Sequence, residues 1–277
     1  MKAFDIFEVP SLKFIEPSYQ HLPEGSFTDL LLSSPAEEAR LAVDEDEWPV
    51  ALAVRDAKEW KGTSFLLRPP SLAVVEFFES VDGDVVTTTQ EEWAKACREY
   101  YSKDIIDMVP AAVEDFSPDR AAKVKDLLEE LWRDRRGEVC LDCGCGSGMG
   151  SAMLREAGLV PVSYDNDPSL LARGLKDGRL EPEGTMCIDG ALASHYMRPA
   201  PLGLALMAGT INDHTAMIWK AVLGELLDMT EETLVTVETE KESELVRMWA
   251  LGMGKKVRKF ENDRDPFYDR WGCVITE

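Results

Sequence analysis

Basic residues and long apolar runs are what this chain of 277 residues has little of. Lys and Arg number 30 against 52 Asp and Glu, a formal net charge of -22. A phosphodiester backbone would be repelled at long range, so nucleic acid is not an expected partner. The longest uncharged, largely apolar stretch, residues 202–211, has ten residues and two glycines. A membrane-crossing helix needs about 20 apolar residues, so no membrane span is expected. The opening MKAFDIFEVP has neither the basic start nor the apolar run of a secretory leader, and the cytoplasm is the expected location. Six cysteines are then expected as thiols. Cys140, Cys143 and Cys145 form C-x-x-C-x-C, but no second pair or nearby histidine completes four ligands, so no metal is expected.

What is present is a composition of 45% hydrophobic and 30% charged residues, enough for a buried core and too apolar for a disordered chain. The acidic excess is denser in residues 1–116 (net -14) than in 117–277 (net -8). Residues 1–87 read as strand-rich: 48–54 is apolar and partly β-branched, and 72–78 followed by Asp82-Gly83 and 84–88 reads as a hairpin. Ser34-Pro35 predicts a short helix over 35–43. Residues 88–116 read as connecting helices, opened by the capping box Thr89-Gln90-Glu91-Glu92. A further helix starts at Ser117-Pro118-Asp119, with Ala122, Val124, Leu127, Leu128 and Leu131 on one stripe. From residue 138 strand and helix patterns alternate, which predicts an α/β region over 117–277 with a mostly parallel sheet covered on both faces. The site of such a sheet lies at the carboxyl ends of its strands.

At the end of the first of these strands stands Asp142-Cys143-Gly144-Cys145-Gly146-Ser147-Gly148, an acid followed by three alternate glycines, and then a helix. Glycines let a backbone approach a ligand closely, and the helix N-terminus offers free N–H groups to an anion. A second acid, Asp165, closes the next strand 23 residues beyond Asp142. Cys187-Ile188-Asp189-Gly190 follows a third strand, 204–208 fits a fourth, and two strands near 257–260 and 272–276 end the chain.

This pattern resembles the class I S-adenosylmethionine-dependent methyltransferases, over about residues 117–277. The resemblance implies a Rossmann-like, mostly parallel sheet with a terminal antiparallel strand, S-adenosylmethionine as cofactor, and methyl transfer as the activity. It implies that Gly144, Gly146 and Gly148 cradle the cofactor, that Asp142 orients its methionine end, and that Asp165 accepts both ribose hydroxyls with Asn166 beside the adenine. Asp189 and Gly190 would take the adenine amino group and its approach. The rival is a nicotinamide dinucleotide-dependent oxidoreductase, but in G-x-G-x-x-G the third glycine falls on Met149 or Ser151. A non-catalytic adenosylmethionine-binding protein is the other alternative.

The substrate side is less legible. Asn212, Asp213 and His214 follow the fourth strand, where the family places acceptor contacts, and His214 is the candidate general base for a protonated acceptor. The capping reading, Asn212-Asp213 closing the helix near Thr215, stands beside it. Tyr100 and Tyr101 are candidate lid residues, with a core role as the alternative. Asp265-Pro266-Phe267-Tyr268 reads as loop, and Trp93, Trp132, Trp219 and Trp249 as packing residues; His21 and His195 belong to no constellation. A small-molecule acceptor is expected ahead of a protein side chain.

Overall fold

The computed structural model describes residues 1–57 and 59–277. The chain divides into two compact units, Met1–Asp104 and Ile105–Glu277. The division falls inside one helix, between the boundaries expected at 87 and 116.

The first unit is a five-stranded sheet in the order β1 (Lys13–Phe14), β4 (Trp60–Ser64), β3 (Pro49–Arg55), β2 (Glu38–Val43), β5 (Asp84–Thr87). β2, β3 and β4 are antiparallel, and β1 and β5 add parallel to β4 and β2. Short α1 (Ala3–Ile6) precedes β1. Helices α2 (Ser26–Leu32) and α3 (Leu72–Ser80) place Leu31 and Val74 in a core with Ala39, Leu52, Val54 and Phe65. Two expectations are corrected here. Residues 72–80 form a helix, not the first arm of a hairpin, because Val74, Phe77 and Phe78 fall at helical spacing against that core. Residues 38–43 form a strand, paired with β3 on one side and β5 on the other and turning Ala39 and Leu41 to that core; Pro35 starts no helix.

α4 (Gln90–Met108) begins with the expected capping box: Thr89 Oγ1 accepts the Glu92 N–H at 3.1 Å, and Glu92 Oε2 accepts the Thr89 N–H at 3.2 Å. On this helix Trp93 is fully buried, its indole N–H donating to Ser64 Oγ at 3.0 Å, with Cys97 buried beside the same serine. Tyr101 donates to the Glu16 carbonyl, Tyr100 accepts the Phe14 N–H, and both rings meet Phe14 edge-on or tilted. The two tyrosines expected as a lid are thus spent in the first unit's aromatic core.

In the second unit, α5 (Pro118–Trp132) starts at Ser117, whose hydroxyl accepts the Arg120 N–H. There follow β6 (Val139–Cys143), α6 (Met149–Glu156), β7 (Val160–Asp165), α7 (Pro168–Lys176), β8 (Thr185–Cys187), β9 (Ala200–Ala205), α8 (Ala216–Asp228), β10 (Thr230–Val237), α9 (Glu240–Gly252), β11 (Lys256–Glu261) and β12 (Trp271–Thr276). The sheet order is β11-β12-β10-β9-β6-β7-β8; all pairs from β10 to β8 are parallel, and β12 is antiparallel to both neighbours. This is the Rossmann-like α/β class expected, terminal antiparallel strand included. The stripe of α5 packs Val124, Leu127, Leu128 and Trp132 against Cys140, Leu154, Leu202 and Leu204. β9 ends at Ala205, three residues before the expected 208, because Met207 turns into the left-handed region at φ 47°. Cys140, Cys143, Cys145 and Cys273 are buried, and Cys187 half-buried. Among the described residues, no helix is long and apolar enough to cross a membrane.

Candidate active site

β6 and β9 are neighbours, yet the chain leaves β6 for β7 on its other side, so a crevice opens at their carboxyl ends. The glycine loop leads from β6 into α6. Gly144, Gly146 and Gly148 take φ of 62°, 53° and 84°, values that side chains with a Cβ rarely adopt. Alternate left-handed residues coil the chain tightly enough to seat Gly148 as N-cap of α6.

A cleft of about 330 Å³ lies at this crevice and brings together Gly144, Gly146, Asp165, Asn166, Asp189 and Gly190. Asp165 ends β7 with its carboxylate held from two sides: Oδ2 accepts the Gly146 N–H at 2.9 Å and Oδ1 the Asp167 N–H at 2.8 Å. Burial raises its pKa, against the pull of those amides. Each oxygen keeps a lone pair for a ligand hydroxyl. Asp189 Oδ1 accepts the Ala191 N–H at 2.9 Å, and Gly190 leaves room beside Val222 and Tyr164, where a Cβ would stand 3.1 and 3.4 Å from their side chains.

Two expected residues stand back from the cleft. Asp142 is 1% exposed, and its Oδ2 accepts the Ser151 hydroxyl at 2.5 Å. Burial pushes its pKa up to about 7, with Asp165 adding to the rise and Ser151 opposing it. Side chains alternate along a strand, so Cys143 lines the cleft while Asp142 turns beneath α6; the expected contact of Asp142 with a ligand is replaced by support of the loop. Gly148 likewise acts from below: a Cβ there would come within 2.6 Å of Leu180.

The segment after β9 differs more. Asn212, Asp213 and His214 are exposed. Asn212 Oδ1 accepts the backbone N–H of His214 at 2.9 Å and of Thr215 at 3.3 Å, so the asparagine closes the turn into α8. None of the three lines the cleft. The place expected for His214 as base is taken by Met207, Gly209, Ile218, Trp219 and Val222. Trp219, read from sequence as packing, is the principal omission. What seats it is Gly209, four residues past the end of β9: at φ 40° a Cβ there would stand 2.6 Å from the Trp219 indole.

No protein-family model and no curated protein matches this chain. Solved structures do resemble it. Magnesium protoporphyrin IX methyltransferase from Synechocystis PCC 6803, with bound S-adenosylmethionine, is 13% identical over 68% of this chain and 97% of its own, with a TM-score of 0.48. A TehB-like SAM-dependent methyltransferase from Corynebacterium glutamicum is 19% identical over 65% and 97%, with a TM-score of 0.45. The ribosomal protein L11 methylase of Lactobacillus delbrueckii subsp. bulgaricus is 14% identical over 58% and 80%, with a TM-score of 0.42. The likeness is one of fold. Beyond it, the chemistry rests on this chain's own cleft, whose lining combines two carboxylates and glycine-loop backbone with apolar side chains and an indole.

Proposed function

We propose that the second unit is a class I methyltransferase domain, binding S-adenosylmethionine in this cleft and passing its methyl group to a small-molecule acceptor. The observation that carries it is the Asp165 carboxylate at the end of β7 accepting the N–H of Gly146, the middle one of three left-handed glycines that follow β6. A carboxylate there accepts paired ribose hydroxyls, and Asp189 accepts a base amino group. Asn166 and Gly190 flank the nucleoside. The residues fit the cofactor: Asp165 has acceptor capacity left over from its two amides, and glycines leave space for close approach. When bound, the sulfonium supplies an electrophilic methyl group. The chain's own task is to hold the acceptor atom in line and exclude water.

Calorimetry tests this. Adenosylmethionine and adenosylhomocysteine should bind in the micromolar range, and Asp165→Asn should weaken both at least tenfold, as the loss of charge-assisted bonds worth about 1.5–3 kcal/mol implies. Binding of NADH with none of adenosylmethionine would overturn the proposal in favour of a dehydrogenase.

A further inference from the structure

Met207, Ile218, Trp219 and Val222 give the cleft an apolar side. Trp219 sits across the ends of β6 and β9: its indole lies 2.6 Å from where a Cβ of Gly209 would stand and 3.8 Å from where one of Gly144 would. Only glycine at 209 seats the ring there. Met207 beside it holds a φ of 47° that a non-glycine residue adopts at a cost. That turn is held in place from β10: the Met207 N–H donates to Thr236 Oγ1 at 2.8 Å, and Thr236 donates to buried Asp269 at 2.6 Å. On the first turns of α8, Met217 is 73% and Ile218 63% exposed, an apolar ledge continuing the wall outward.

Charge narrows what such a wall receives. Among the described residues that line the cleft, none is Lys, Arg or His, and two are carboxylates. An anionic acceptor has no counter-charge there. An alcohol, phenol or ammonium must lose a proton. The two carboxylates are taken by the cofactor's hydroxyls and amino group in the reading above, and the other groups nearby are poor bases: burial pushes the Cys143 thiol up to about 12, so it stays protonated, and Tyr164 likewise keeps its phenol proton.

Resting on the methyltransferase reading above, we propose that the acceptor is a planar, neutral nitrogen heterocycle whose ring lies against Trp219. Its ring-nitrogen lone pair forms the new N–C bond to the methyl carbon, and the electron pair of the breaking S–C bond stays on sulfur. The sulfonium becomes a thioether, the nitrogen takes the positive charge, and no proton moves. The charge passes between two positions in a site that offers carboxylates and an indole face throughout. Trp219 is a positioning residue in this scheme, and the reaction calls on no base.

Isoquinoline and 2-naphthol make the test, because they share a flat bicyclic outline and differ in needing a proton removed. With labelled methyl donor, the full chain should methylate isoquinoline and leave 2-naphthol unmodified. Trp219→Leu, apolar but not flat, should raise KM for isoquinoline at least tenfold, and by a larger factor than it raises the Kd of adenosylhomocysteine. Trp219→Phe should recover most of the loss, and its flat ring keeps the comparison informative if the leucine variant folds poorly. A wild-type chain that binds adenosylhomocysteine yet fails to methylate isoquinoline, or prefers 2-naphthol, overturns the acceptor assignment alone. Equal KM values for the wild type, Phe and Leu chains overturn the role of Trp219. A chain that binds no adenosylhomocysteine overturns the methyltransferase reading itself.

Discussion

Asp142 and Asp165 carry the same functional group and end adjacent strands, yet the fold gives them opposite tasks. Asp165 lines the cleft and keeps acceptor capacity; Asp142 is sealed under α6 with Ser151 as its hydroxyl partner. Spacing alone made both legible as important, and could not tell which faced a ligand, because that depends on one step of strand alternation. The buried acid has a measurable signature. Its pKa is raised from the ordinary carboxylate range to about 7, so between about pH 4 and 7 the folded chain holds a proton that the unfolded chain has lost. The stability this proton contributes is full below pH 4 and fades as pH rises through 7. Asp142→Asn, which cannot ionise, should therefore gain on the wild type with rising pH. Its Tm advantage should be larger at pH 8 than at pH 5, by the equivalent of about 1–3 kcal/mol. An identical difference at the two pH values would show that Asp142 does not titrate in this window.

Among the elements, those with both a start signal and a clean period were legible: α5 with its Ser117 cap, α4 with its capping box, and the alternation from β6 onward. Residues 72–80 were not, since Val and Phe favour strands as isolated residues and only the core beneath α3 selects the helix. Residues 35–43 failed for the converse reason, a proline signal overruled by the pairing of β2 with a strand on each side. The acceptor wall was missed because a tryptophan one turn into a helix looks the same whether it faces a core or a cleft. The glycine loop offers a graded test of what holds an element in place. Gly146 has open space around it and Gly148 abuts Leu180, although both are left-handed. Gly146→Ala should cost about 1 kcal/mol, the backbone penalty alone, whereas Gly148→Ala should cost at least about 2 kcal/mol. Urea midpoints measure the difference, and equal losses would mean that the Leu180 contact relaxes freely.

At the scale of the whole molecule, the first unit and the second each bury their own core, and every residue assigned to the proposed cofactor belongs to the second. The sequence announced that concentration, since all the informative glycines and acids follow residue 138; it was silent on what the first unit does. The distribution of thiols has a kinetic consequence. Cys97 lies in the core of the first unit, while Cys140, Cys143, Cys145 and Cys273 are buried in the second and Cys187 is only half-covered. A thiol reagent can reach the buried five only when their surroundings open. Alkylation with iodoacetamide under native conditions, followed by mass spectrometry, should mark Cys187 first. Cys97 should then follow a time course of its own, distinct from that of Cys140 and Cys273. A single shared rate for all five buried thiols would mean that the chain opens as one cooperative body. Two rates would make the cysteines a pair of internal clocks, one for each half.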